Sequence, residues 1–168
     1  NDDIMLKDYK AALKSKIVSM DIETTGLDWK KDRIATCQIY IPSEGVKIVK
    51  IKNKKPLYIS KLLETSTITK VFHFALFDLR FMSFKWNIIP SNIQCTKIAS
   101  KILFPNDSKK HNLKYLLKHH LDITISKRER LSDWTKAELS KKQLSYAAKD
   151  VIYLLLLLNS LKSQLKKK

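Results

Sequence analysis

The stretch that most limits how this chain can fold is Val151–Leu158, an unbroken apolar run close to the C-terminal end. It is far shorter than the ~20 residues that span a bilayer, so it must be packed inside a protein core. Ser140 and Gln143 match a capping box, which predicts a helix that begins at Ser140 and runs to about Leu161. Asp150 stands immediately before the run, and Tyr146 lies one turn earlier on the same helix face. An acid at the edge of so buried a helix is costly unless it is paired or bound to a cation. Read alone, Asp150 fits better as a solvated acid on the polar face beside Lys149.

That helix needs a surface to pack on. Lys16–Ile22 reads as a buried strand rich in β-branched residues. Arg33–Ile41 and Val46–Ile51 predict a hairpin turned by Pro42-Ser43-Glu44-Gly45. Thr69–Phe72 reads as a fourth short strand. Helical spacing is predicted over Leu57–Leu63, Ala75–Phe84, Thr96–Leu103 and Leu113–His120, with an irregular stretch through Trp134. Asp2 and Asp3 are placed to cap a first helix ending near Lys14. Strands first, then strands mixed with helices, predict an α/β fold: a mixed central sheet flanked by helices, its hairpin beside the first strand. At 168 residues and 44% hydrophobic content, a single domain over 1–168 is expected, and no repeat or linker divides it.

The chemistry-bearing residues sit where these elements end. Asp21 and Glu23 close the first strand and project from one face, while Ile22 points the other way. Two carboxylates so close repel unless a cation lies between them, and hard oxygen ligands suit Mg²⁺ or Mn²⁺. A lone D-x-E is common, and two solvated acids at a strand end is the blander reading. Asp78 interrupts Val71–Met82, which is otherwise nearly all apolar, and His73 opens the same turn. A lone His in that place is more often a hydrogen-bonded structural residue than a ligand.

Taken in order, the strand D-x-E, the central H-x-x-x-x-D and the late helical Y-x-x-x-D resemble the motifs of the DEDD exonuclease superfamily, Tyr subtype. The matching residues are Asp21, Glu23, Asp78, Tyr146 and Asp150, within Val18–Leu27 and Gln143–Val151. The resemblance covers nearly the whole sequence and implies a ribonuclease H-like fold with ribonuclease D-like 3′→5′ exonuclease activity. It also implies two divalent ions, Mg²⁺ or Mn²⁺, bound by the four acids. Asp21 would bridge them, Glu23 and Asp150 would serve the water-activating ion, and Asp78 the leaving-group ion. Tyr146 would orient the water, since a phenol of ordinary pKa near ~10 is a poor base at neutral pH. Leu27, after Gly26, is expected to wedge between terminal bases, with Ile22, Thr24, His73, Phe74 and Phe77 lining the substrate pocket.

A narrower similarity, to the compact bacterial nano-RNase C group, rests on Ile68–Phe74, Cys95–Ser100, Ile125–Lys127 and Ser132-Asp133-Trp134. It implies cleavage of very short RNAs, dinucleotides above all, by a ring-shaped homo-octamer. Two positions depart from that group: Leu76 stands where relatives often carry a basic residue, and Glu129 where they often carry Gln. The rivals are a tRNA-trimming ribonuclease D-like enzyme or a DNA exonuclease of the proofreading type. A binding module with a dead nuclease fold is the rival of another class, and the complete acid set argues against it.

Composition adds direction. Lys and Arg number 33 against 16 Asp and Glu, a formal charge of +17 that favours polyanion partners such as nucleic acid; the resemblance implies short single-stranded RNA, or DNA, as the partner, and no membrane partner is expected. Only four of those cations are Arg, so a Lys-rich coding bias accounts for the same charge. Lys127, Arg128 and Arg130 are expected either to meet a phosphate or neighbouring subunit or to form a solvated basic face. Trp134 is expected to anchor the loop before the last helix. Cys37 and Cys95 are far apart and predict buried thiols rather than a disulfide or zinc site. With no recognisable secretory signal, a cytoplasmic setting is expected, and a first residue other than Met agrees with a trimmed N-terminus.

Overall fold

The computed structural model describes residues 2–52, 54–126 and 128–167. Strand β1 (Ile17–Thr24) lies at the middle of a five-stranded sheet of order β3-β2-β1-β4-β5. It pairs antiparallel with β2 (Ile34–Ile41), which pairs antiparallel with β3 (Gly45–Lys50). On its other side it runs parallel to β4 (Thr69–Phe72), and β4 runs parallel to β5 (Ile93–Cys95). The sheet is therefore mixed, with the hairpin next to the first strand as expected. β5 is the element that sequence periodicity does not reveal, because three edge residues are too few to carry a period.

Alternation along β1 and β2 divides the molecule into layers. Val18, Met20 and Ile22 of β1, with Cys37, Ile39 and Ile41 of β2, form one face of the main core. Helices α1 (Leu6–Ser15), α2 (Leu57–Glu64) and α3 (Ala75–Trp86) contribute Ala12, Ile59, Leu62, Phe81 and Met82 to the same cluster. The opposite face carries Ser19, Asp21 and Glu23, and receives the C-terminal helices. Ser19 Oγ donates to the Val151 carbonyl at 2.7 Å, a buried bond that ties the central strand to the last helix.

Two local expectations change. The first helix is not capped by Asp2 or Asp3. Met5 holds the N-cap position, and its amide donates to Asp8 Oδ2 at 3.0 Å. Asp3 instead accepts from the amides of Tyr58 (2.6 Å) and Ile59 (3.1 Å), the unpaired donors at the start of α2. The last helix is also two segments, α6 (Lys141–Ile152) and α7 (Leu154–Leu165), interrupted at Tyr153. Its start is as predicted, with Ser140 Oγ accepting from the Gln143 amide. By length and composition Lys141–Leu165 would suffice to cross a bilayer. Yet Leu154, Leu157, Leu158 and Leu161 are buried, two against Val71 of β4 and two against Leu116 and Leu117 of α5 (Leu113–Leu121), as in a core helix. Helix α4 (Thr96–Leu103) completes this layer beside α7.

Candidate active site

The acids meet at the end of β1 where it faces α6. Oxygens of Asp21, Glu23 and Asp150 all lie within 4.8 Å of one another, a grouping of three potential metal ligands among the described residues. Strand alternation brings two of them to one face, and the bond between Ser19 and Val151 sets the height of α6, hence of Asp150. The β1–β2 register slips between Glu23 and Thr24, so regular pairing ends just past the acids.

Asp78 approaches from α3 and is only 2% exposed. Its Oδ1 accepts from the Ile22 amide at 3.1 Å, so it is pinned to the backbone between the two strand acids. Its charge acts on Asp21 and Glu23, although it is not one of the three acids gathered within 4.8 Å. Gln38 of β2 stands opposite Asp21, and its Nε2 reaches Asp21 Oδ2 at 3.5 Å.

The electrostatics are those of crowded, buried acids. Burial, followed by Asp78, Asp150 and Glu23, raises Asp21 well above the usual carboxylate range. Burial with Asp150 and Asp78 pushes Glu23 up to about 9, with Arg130 opposing. Burial pushes Asp78 to about 8, although backbone hydrogen bonds, one of them from Ile22, pull it down. Tyr146 is driven above the ordinary phenol range by burial, by the charge of Asp150 and by a hydrogen bond to Asp150. Converging carboxylates that resist ionising together are what a hard dication neutralises, so this donor set fits Mg²⁺ or Mn²⁺.

Around the acids, the remaining predicted residues divide. Leu27 is 80% exposed on a loop organised by Asp32, which accepts from the Asp28 amide (2.9 Å) and the Thr25 hydroxyl (3.2 Å). A Cβ on Gly26 would fall 2.4 Å from that carboxylate, so a larger residue at 26 would displace the Asp32 side chain that organises the loop. Thr24 Oγ1 donates to the Gly26 carbonyl within the same loop. Phe74 is exposed at φ 68°, with Lys97 Nζ 3.9 Å from its ring centroid. His73 Nδ1 bonds Thr96 Oγ1 at 2.9 Å, and that hydroxyl donates in turn to the Phe72 carbonyl.

One predicted pocket residue turns its side chain away. Ile22 is 4% exposed and its side chain belongs to the core, so it adjoins the site only through its amide; period-two alternation dictates this. Phe77 packs on Phe81 and the core, half-buried. Trp134 anchors its loop as expected, buried against Ala35, Ala147 and Tyr146. A cavity of about 360 Å³ opens beside Tyr146, with Arg128, Lys141, Lys142 and Lys149 among its lining residues. Lys127 lies outside the described residues.

Sequence reasoning passes over Gln38 and Gln143's wider role, and it names Arg130 only as a basic-face residue, without its influence on Glu23. Gln38 does leave a signal: Thr36 and Gln38 are the polar positions, two apart, in an otherwise apolar strand whose partner carries the acids.

A family model described as 3'-5' exonuclease matches residues 1–166, and the chain belongs to that family. Within it, the chain is of the ribonuclease D and NrnC type. It superposes on Brucella melitensis NrnC with a TM-score of 0.90 and 36% identity, over 99% of this chain and 80% of that one. It is 31% identical to ribonuclease D of Desulfotalea psychrophila across 85% of this chain and 38% of the relative. DNA polymerase I of Aquifex aeolicus is 33% identical over 88% of this chain and 24% of the relative. The chain thus spans well under half the length of these two sequence relatives. Escherichia coli RNase D shares the fold, with a TM-score of 0.81 at 20% identity over 95% of this chain and 42% of that one. The expected ribonuclease H-like architecture is the one found. NrnC has also been solved with bound Mg²⁺ and with pGG.

Proposed function

We propose that this chain degrades short oligoribonucleotides, dinucleotides above all, from the 3′ end to nucleoside 5′-monophosphates, using two divalent ions. The observation that carries this reading is the convergence of Asp21, Glu23 and Asp150 within 4.8 Å, with Asp78 pinned beside them. When bound, the ions supply Lewis-acid activation of water and neutralise charge on the phosphate and departing oxygen. Asp21, between the other acids, would be the shared ligand; Glu23 and Asp150 would hold one ion and Asp78 would contribute to the second.

Tyr146 serves as a hydrogen-bond donor and not as a base. Its phenol is held above the ordinary range and donates toward Asp150, so it keeps its proton at neutral pH and orients rather than abstracts. Leu27, presented by the loop that Asp32 organises, is the apolar contact for a terminal base. The exposed Phe74 ring, with Lys97 above it, offers stacking next to a cation, and His73 and Thr24 are carried as further contacts of the same substrate pocket.

Preference for short RNA is supported by the likeness to NrnC, which has been solved with pGG. The homo-octamer is carried as part of this reading, and light scattering tests it: a monomer at micromolar concentration contradicts it. A second reading, attack on DNA 3′ ends, is favoured by the 33% identity to a DNA polymerase I. Incubating the protein with Mn²⁺ and either a diribonucleotide or its deoxy counterpart separates the two. The proposal expects the ribonucleotide to be hydrolysed, and the Asp21→Ala variant to be inert toward it. Equal turnover by that variant contradicts the metal assignment.

A further inference from the structure

The loop between α5 and α6 is held to α6 more firmly than its surface course requires. Gln143 is 3% exposed and uses both ends of its amide. Its Oε1 accepts from the Ser140 amide (3.0 Å), while its Nε2 donates to Ser132 Oγ (3.1 Å) and the Asp133 carbonyl (2.9 Å). The next residue of the loop is Trp134, also 3% exposed, whose ring centroid is 6.0 Å from that of Tyr146 at a 46° tilt. The Trp134 Nε1 is buried with no hydrogen-bond partner among the described residues, a cost accepted for ring packing at this place. Farther along, Lys50 Nζ donates to the carbonyls of Lys136 and Ala137. Gln143 and Tyr146 are three apart on one helix, so Gln143 grips the loop that supports the Tyr146 ring.

We infer that Gln143 and Trp134 are positioning residues for Tyr146: Gln143 clamps the Ser132–Trp134 segment to α6, and Trp134 braces the phenol toward Asp150. This rests on the role proposed above for Tyr146. A capping residue alone needs only the bond to Ser140. The two further bonds, made to the segment that ends in Trp134, extend the clamp from the helix end to the tyrosine. The Tyr146 hydroxyl must be held closely to orient a water, and displacements of about 1 Å can cost roughly a hundredfold in rate.

The test is a double-mutant cycle. Wild type, Gln143→Ala, Tyr146→Phe and the double variant are compared for kcat and KM on a diribonucleotide with Mn²⁺. Mn²⁺ affinity and thermal midpoint are measured for each. Acting through Tyr146, Gln143→Ala lowers kcat roughly tenfold with KM and Mn²⁺ affinity nearly unchanged, and lowers it by less than about twofold in the Tyr146→Phe background. Trp134→Phe, which keeps a ring there, shows a smaller loss of the same kind. A loss of equal factor in both backgrounds, or a fall in Mn²⁺ affinity parallel to kcat, overturns the inference and assigns Gln143 to fold maintenance. Unchanged kcat in Gln143→Ala overturns it too. A wild-type protein with no metal-dependent hydrolysis would instead remove the parent reading, so the two failures are distinguishable.

Discussion

The Asp78 carboxylate accepts the Ile22 amide at 3.1 Å, so an acid from helix α3 is fastened to the backbone between two acids of the central strand. One bond therefore couples the main core, to which Ile22 contributes, with the cluster facing α6. Asp78→Asn keeps an acceptor for this amide, whereas Asp78→Ala leaves a buried donor unpaired. Asp78→Ala is expected to cost about 1–3 kcal/mol of stability, and Asp78→Asn much less, while both abolish metal-dependent hydrolysis. Urea denaturation of both variants checks the difference; equal stabilities would contradict it.

Neutralising a central acid should stabilise the metal-free protein. Asp21 is held well above the usual range by burial and by three neighbouring acids. Asp21→Asn removes an acid that the folded state must hold protonated while the unfolded chain ionises it, so it is expected to raise metal-free stability by roughly 1–3 kcal/mol while removing the response to Mn²⁺. Thermal melts in chelator and in Mn²⁺ read both effects. A destabilised variant that still responds to Mn²⁺ would contradict the electrostatic reading.

Stability without metal should fall as pH rises. Unfolded, these acids release their protons in the ordinary carboxylate range; folded, Glu23 holds its proton to about 9 and Asp78 to about 8. The folded state therefore binds more protons, and the acids' protonated form is the one compatible with folding. Their penalty begins above the ordinary carboxylate range and is complete only once pH passes about 9. In chelator, denaturation should show lower stability at about pH 9 than at about pH 6, with a larger gain from Mn²⁺ at the higher pH. Flat or rising stability across that window contradicts it.

Leu27 tests the substrate contact apart from the metal chemistry. At 80% exposure, Leu27→Ala costs the fold little and is expected to raise KM roughly tenfold for a dinucleotide. Gly26→Ala should do the same through the loop, because the added Cβ collides with Asp32. If KM is unmoved in both variants, the loop takes no part in binding.

The legible parts of this molecule are those governed by local periods. Alternation alone separates Asp21 and Glu23 from Ile22, and helical spacing alone sets Tyr146 beside Asp150. The ends Thr69–Phe72 and Thr96–Leu103 coincide with expectation because polar breaks and apolar runs mark them. What depends on distant partners is not legible locally. Asp3 precedes one helix yet caps another because α2's amides lie within its reach. The break at Tyr153 falls inside an apolar run that carries no breaker residue. Ile22 adjoins the acids in sequence, but strand alternation turns its side chain into the core. Gln143 reads correctly as a cap, while its grip on Ser132 and Asp133 exists only once the loop has folded back.

If the acid cluster removes nucleotides from very short RNAs, rate must depend on substrate length. A length series reads this without intermediaries: 5′-labelled RNAs of two to about ten nucleotides, incubated with the protein and Mn²⁺ and compared for initial rate. The highest rate is expected on the dinucleotide, with 5′-monophosphate products and complete loss of hydrolysis in chelator. Rates that rise with length, or hydrolysis that persists in chelator, would contradict the proposed function.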